Sequence, residues 1–129
     1  MLAIDTNIIV RYLTGDHPEQ SAKARELIDG GRVFVATTVL LEVEWVLRGA
    51  RGCRAERLAA VLEAFAGLPN VTLESPARVR AALDDLAAGL DFADALHRAA
   101  AVDSEAFVTF DKTFASAARK TSGVAVRLA

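Results

Sequence analysis

Short apolar runs alternate with longer amphipathic segments along the whole chain. The apolar runs predict strands at residues 2–4, 33–36, 71–73, 106–110 and 124–128. The segments between them have helical spacing and helix-ending residues. They predict helices at residues 7–13, 18–29, 39–48, 55–65, 76–88, 93–102 and 112–119, with Thr37 or Thr38 as the N-cap of the third.

Strands separated by helices favour an α/β fold in which parallel strands carry helices on both faces. The runs at 33–36 and 106–110 are continuously apolar, as expected of strands that are covered on both faces. The length of 129 residues fits a single domain over residues 1–129.

Composition limits the class of protein. The lone Cys53 excludes an internal disulfide and a thiolate metal cluster, and it favours a reducing cytoplasm. Asp5 and Arg11 interrupt the first apolar stretch, so we expect no secretory signal, and no apolar run is long enough to predict a membrane span. The net charge of −2 argues mildly against a nucleic-acid binder, unless several acids surround a metal ion.

Four acidic residues fall near one predicted edge of the sheet. Asp5 and Asp111 follow the first and fourth strands, and Glu42 lies early in the helix after the second strand. Asp94 lies in the first turn of the helix that leads into the fourth strand. Ligands of open parallel sheets bind at the carboxyl ends of the strands. We therefore expect these acids to converge on one rim.

Each acid also has a structural interpretation. Asp5 and Asp111 are suited to cap the helices that follow them. Asp91 and Asp94 have the spacing of a capping box, which accounts for Asp91 better than for Asp94.

Glu42 and Glu44 receive opposite interpretations. The helical neighbours of Glu42 are apolar, namely Val39, Trp45 and Val46. We therefore expect Glu42 on an apolar face, where an unpaired carboxylate is costly and implies a function. Glu44 has Arg48 four positions later, which predicts an exposed ion pair.

Carboxylates without thiolates or clustered imidazoles favour a hard cation, Mg²⁺ or Mn²⁺, which would activate water and neutralise a phosphate. His97 follows Asp94 by three positions, but His17 lies in a predicted loop, so no histidine pair is expected to bind a metal.

Four segments carry a family resemblance. They are LAIDTNIIVRYL at 2–13, TVLLEVEWVL at 38–47, DFADALH at 91–97 and VTFDK at 108–112. In their order and spacing they resemble the PIN-domain ribonucleases, and specifically the VapC-type toxins of toxin–antitoxin pairs. The resemblance runs over essentially the whole chain.

The resemblance implies a three-layer α/β/α sandwich with a central parallel sheet. It implies that Asp5, Glu42, Asp94 and Asp111 are both the catalytic acids and the metal ligands. By position it makes Asn7, Thr109 and Asp91 accessory residues.

The resemblance also implies a Mg²⁺- or Mn²⁺-dependent endoribonuclease that is the toxin of a type II pair. It implies a homodimer that cleaves cellular RNA in the cytoplasm and is inhibited by a cognate VapB-like antitoxin.

Other side chains are weaker candidates. Arg11 and Lys112 flank the acids and could contact RNA or an antitoxin. The arginines at 48, 51, 54 and 57 could bind phosphates, but a solvated loop and helix face is the favoured explanation for them. Tyr12 and Trp45 could stack on a base, or simply pack against the core or a second subunit.

Two other classes of function remain open from the residues alone. A metal-dependent phosphoryl-transfer domain would use the same rim, but only Asp5 follows the first strand, and Asn7 replaces the second acid that phosphatases carry there. A non-catalytic α/β partner-binding module would not need the acids.

Overall fold

The computed structural model describes residues 1–129, except that residue 51 is described only as part of its helix. In the described chain the helices are α1 (Thr6–Thr14), α2 (Pro18–Gly30), α3 (Thr37–Arg51), α4 (Ala55–Ala66), α5 (Pro76–Ala87), α6 (Phe92–Ala100) and α7 (Lys112–Ala118). The strands are β1 (Leu2–Ala3), β2 (Val33–Val35), β3 (Val71–Leu73), β4 (Phe107–Thr109) and β5 (Val126–Leu128). Every predicted element is present, with ends shifted by a few residues.

All strand pairing is parallel, which confirms the predicted α/β class. β2 lies between β1 and β3, with Leu2 opposite Val33 and Val35 opposite Leu73. β4 pairs with β5 in a second sheet of the described chain, with Thr109 opposite Leu128. Helices connect these strands, as parallel pairing requires.

The fourth strand is less covered than its apolar sequence predicts. Val33 and Val35 of β2 are buried, but Val108 of β4 is 56% exposed and the following Phe110 is 87% exposed. The prediction that residues 106–110 are covered on both faces was therefore wrong. β4 pairs with β5 and packs Phe107 edge-on against Phe114 of α7, which covers only one face.

The start of α3 also differs from the expectation. The N-cap is Ala36, which has no capping side chain, and Thr37 and Thr38 lie inside the helix. The Glu74 carboxylate accepts the hydrogen bond of the Thr37 backbone N–H at 2.9 Å instead. Because Glu74 directly follows β3, the neighbour of β2 in the sheet, a tertiary contact replaces the predicted threonine cap.

Two hydrophobic clusters support the candidate site. The larger one includes the fully buried Ile9, Leu40 and Phe92, and it anchors α1, α3 and α6. The smaller one joins Leu90 to Phe114 and Ala118 of α7. The helices that follow Asp5 and Asp111 are thus anchored in different clusters. No helix in the described residues is both long and apolar enough to cross a membrane.

Candidate functional site

The first part of the candidate site joins the start of α1 to α3. Asp5 caps α1, because its carboxylate accepts the Thr6 backbone N–H at 2.7 Å. The buried Thr6 side chain donates its hydroxyl to Glu42. Thr6 therefore links the neighbourhood of Asp5 to Glu42. Thr6 was not predicted to be a site residue, although it stands beside Asp5 in the segment 2–13.

The second part lies at the starts of α6 and α7. Asp91 caps α6 by accepting the Asp94 backbone N–H at 3.0 Å, as its capping spacing predicts. Asp111 caps α7 by accepting the Phe114 N–H at 2.9 Å, and its own N–H donates to Thr109 Oγ1 at 3.0 Å. The capping interpretations of Asp5, Asp91 and Asp111 are confirmed. Capping does not exclude metal binding, since a carboxylate has several lone pairs.

Asp94 lies in a negative electrostatic environment. Burial raises the pKa of this half-buried carboxyl above its ordinary value, and the nearby Asp91 and Asp111 carboxylates raise it further. His97 opposes the shift. Asp91 and Asp111 therefore lie close enough to Asp94 to disfavour its charged form, and a bound cation would relieve this repulsion.

Two cavities that share Arg48 connect the parts of the site. The first, of about 320 Å³, is lined by the acids Glu44, Asp91, Asp94 and Asp111. The second, of about 530 Å³, is lined by Glu42 and Trp45, with Ala93 from α6. Arg48 lines both, so it lies between the two groups of acids.

The expected orientation of α3 was wrong. The buried stripe of the helix runs through Leu40, Val43, Glu44 and Leu47. Glu44 is fully buried, whereas Glu42 is exposed and Trp45 is 65% exposed. Glu42 and Glu44 both have apolar neighbours, and tertiary packing decides which of them faces inward. The predicted Glu44–Arg48 pair does form, with Arg48 Nε 3.1 Å from Glu44 Oε2.

The four acids do not gather into one metal cluster. Within the described part of the chain, no three His, Cys, Asp or Glu side chains are arranged to hold a metal ion. The structure groups Asp94 with Asp91 and Asp111, and it places Glu42 beside Thr6. A single cluster of metal ligands is therefore not observed, and the convergence of the four acids on one rim stays a prediction. Asp111 belongs to the β4–β5 part of the fold, whereas Asp5 and Glu42 follow β1 and β2.

The donor set nevertheless suits a hard cation. Every candidate ligand is a carboxylate, and Mg²⁺ commonly keeps several waters while binding one or two carboxylates and a substrate phosphate. Asp94 and Asp111 fit that requirement, since they lie close together and line the same cavity. The catalytic and metal-binding roles of Asp5, Glu42, Asp94 and Asp111 stay predictions.

The accessory candidates fall into different environments. Thr109 supports the backbone at Asp111, whereas Asn7 is exposed at the start of α1. Arg11 donates a hydrogen bond to Gln20 at 2.8 Å and forms an ion pair with Asp16 at 3.3 Å. These contacts join α1 to α2 and to the loop between them. Lys112 is exposed beside Asp111.

Tyr12 and the arginines after α3 also lie in different environments. Tyr12 packs against Phe65 and donates to Asp29 at 2.9 Å, which confirms the packing interpretation of Tyr12. Arg54 is the N-cap residue of α4 and Arg57 is exposed on it. The side chain of Arg51 lies outside the described residues.

A comparison with protein families gives one match over most of the chain. The family described as the PIN domain matches residues 2–120. A comparison with curated proteins gives no significant match. PIN domains are generally nucleases, and they typically use divalent metals. Since the match covers nearly the entire sequence and every candidate acid, the chain belongs to the PIN domain family.

Proposed function

We propose that this PIN domain is a Mg²⁺- or Mn²⁺-dependent endoribonuclease and the toxin of a type II toxin–antitoxin pair. The observation that carries the nuclease proposal is the grouping of Asp94 with Asp91 and Asp111 beside an open cavity. The VapC-type motifs around Asp5, Glu42, Asp94 and Asp111 support the toxin role.

The chain's own residues would prepare the site in distinct ways. Asp94 and Asp111 would hold a hydrated divalent cation, which when bound supplies an activated water and neutralises a phosphate. Asp91 fixes the first turn of α6 and thereby orients Asp94. Thr6 restrains Glu42, and Thr109 restrains the backbone at Asp111. These hydrogen bonds limit the movement of the acids before substrate binds.

The partners belong to the same proposal. The substrate would be cellular RNA, and a VapB-like antitoxin would inhibit the protein in the cytoplasm. A homodimer is also proposed. The exposed apolar side chains of Trp45 and Phe110 offer surface for such contacts. Sedimentation equilibrium of the purified chain should give twice the monomer mass.

The nuclease proposal is tested by incubating the purified chain with total RNA. Cleavage should require Mg²⁺ or Mn²⁺ and stop with a chelator. Asp94→Asn should reduce the rate at least about 100-fold, because it weakens the cation site. Asp103→Asn, an exposed acid in the loop before β4, is the matched control and should cleave like the parent. Undiminished cleavage by Asp94→Asn would contradict the assignment.

The toxin role needs a separate experiment in cells. Expression of the chain alone should arrest growth, and expression of the small adjacent gene should restore it. Cleavage in vitro without growth arrest would contradict the toxin role and leave the nuclease proposal intact. Absence of both would favour a non-catalytic partner-binding module.

A further inference from the structure

The buried stripe of α3 contains one charged residue that the proposed reaction does not use. Glu44 is 0% exposed and lies in the same stripe as Val43 and Leu47. A carboxylate in such a position loses its hydration and needs a partner. Arg48 is that partner, with Nε donating to Oε2 at 3.1 Å and Nη2 donating to Oε1 at 3.4 Å. Two hydrogen bonds therefore fix the plane of the guanidinium.

The opposite side of the Arg48 guanidinium is accessible. Its side chain is 48% exposed. Among the described residues, Nη1 makes no hydrogen bond, and the nearest other carboxylate oxygen is Asp91 Oδ1, 4.0 Å from Nη2. Since a guanidinium carries five N–H donors, Arg48 has donors left for a ligand.

Arg48 is also a basic residue that shares both cavities with the candidate acids. It lines both cavities, and it is the only lysine or arginine among the described residues that line either one. The other charged residues there are acids, namely Glu42, Glu44, Asp91, Asp94 and Asp111. A phosphodiester entering this region would be repelled by the acids, and the fixed positive charge of Arg48 would offset part of that repulsion.

We propose that Arg48 binds a phosphate of the substrate RNA, and that the buried Glu44 is a positioning residue that holds Arg48 in place for it. This inference rests on the proposed function, because it takes RNA as the ligand. A guanidinium suits the role, since it stays charged and binds phosphate through paired N–H groups.

The experiment measures RNA binding rather than cleavage. A fluorescein-labelled single-stranded RNA of mixed sequence is titrated with Asp94→Asn protein in Mg²⁺, and anisotropy is recorded at several salt concentrations. Arg48→Gln should weaken binding roughly tenfold at low salt. It should also reduce the slope of log affinity against log salt by about 0.7, the value for one phosphate contact on a single strand.

Three further variants separate the positioning role of Glu44 from the effect of overall charge. Glu44→Gln removes a negative charge, so an effect of charge alone would make RNA binding tighter. If Glu44 positions Arg48, the variant should instead bind RNA more weakly, with an unchanged slope of log affinity against log salt. Glu56→Gln, an exposed acid on α4, is its control and should bind as tightly as the parent or slightly tighter. Arg48→Lys should keep the slope and lose part of the affinity, because an ammonium cannot make the paired contact.

An exposed arginine on another face controls for the loss of positive charge. Arg80→Gln on α5 lines a different cavity and should bind RNA nearly like the parent. Urea unfolding of each variant confirms that it is folded. Unchanged affinity and slope in folded Arg48→Gln, equal losses in Arg80→Gln, or no RNA binding by the parent would each overturn the inference. RNA binding that depends on Arg48 without any cleavage would overturn the proposed function alone.

Discussion

At the scale of single residues, the burial of the Glu44 carboxylate in α3 costs free energy of folding. Burial raises the pKa of its carboxyl above the ordinary value, although the hydrogen bond and charge of Arg48 oppose the shift. The nearby Asp91 charge also raises the pKa, so Arg48 does not fully offset burial and this second acid together. An apolar residue of similar volume would fill the same stripe without this cost. The presence of Glu44 is therefore better explained by its hold on Arg48 than by stability.

Glu44→Met tests this explanation. We expect a free energy of unfolding equal to that of the parent or higher by up to about 2 kcal/mol, because the desolvation cost disappears and the half-exposed Arg48 can turn to solvent. Urea denaturation measures the change, with Glu63→Met on the exposed face of α4 as the control. A loss above about 1 kcal/mol would show that the ion pair is net stabilising.

At the scale of elements, α3 depends on a residue outside itself for its first turn. Ala36 offers no capping side chain, and Glu74 supplies the acceptor for the Thr37 N–H from the residue after β3. The carboxylate also lies where the partial positive charge of the helix start favours an anion. The same hydrogen bond therefore ties α3, which carries Glu42 and Arg48, to the edge of the sheet.

Glu74→Ala should lower the free energy of unfolding by about 1 kcal/mol, the usual value of an N-cap interaction. Thermal or urea unfolding measures the loss. Glu105→Ala, an exposed acid outside the helices, is the control and should change little. Ala36→Ser in the Glu74→Ala background should restore part of the loss, because serine at the N-cap supplies a local acceptor. Equal stability of all these proteins would show that Glu74 does not act as a cap.

At the scale of the whole molecule, Arg98 fastens the C-terminal part to α5 and α6. Its buried guanidinium pairs with Asp85 at 3.6 Å and donates to the Val124 carbonyl at 2.9 Å and to Thr121 Oγ1 at 2.6 Å. Gly123 has a φ of +131°, and a Cβ there would lie 3.1 Å from the guanidinium carbon. A residue with a Cβ at position 123 would force the Arg98 side chain to shift, and the positive φ would strain it in any case. Arg98 thus holds the part of the fold that carries Asp111 against the helix that carries Asp94.

Arg98→Ala should lower the free energy of unfolding by about 3–5 kcal/mol, because it leaves the buried Asp85 without a cation and two C-terminal groups without their donor. Burial already raises the pKa of Asp85 although Arg98 opposes the shift, so losing Arg98 should raise it further. Arg80→Ala, which removes an exposed arginine of α5, should stay within about 0.5 kcal/mol of the parent. Similar losses in both variants would contradict the role of Arg98.

The sequence alone determined the elements and the identity of the candidate acids. Helical spacing, Pro18, Pro76 and the glycines at helix ends act within a few residues, so the order of helices and strands could be predicted. Asp5 and Asp111 could be recognised for the same reason, because each follows a strand and begins a helix.

Only the tertiary structure decided which faces are buried and which acids meet. Glu42 and Glu44 both have apolar neighbours in the helix. The elements packed around α3 bury Glu44, whereas Glu42 is exposed and accepts the Thr6 hydroxyl. The proximity of Asp111 to Asp94 depends on where α7 packs. Such contacts join residues far apart in the chain, so no local spacing in the sequence specifies them.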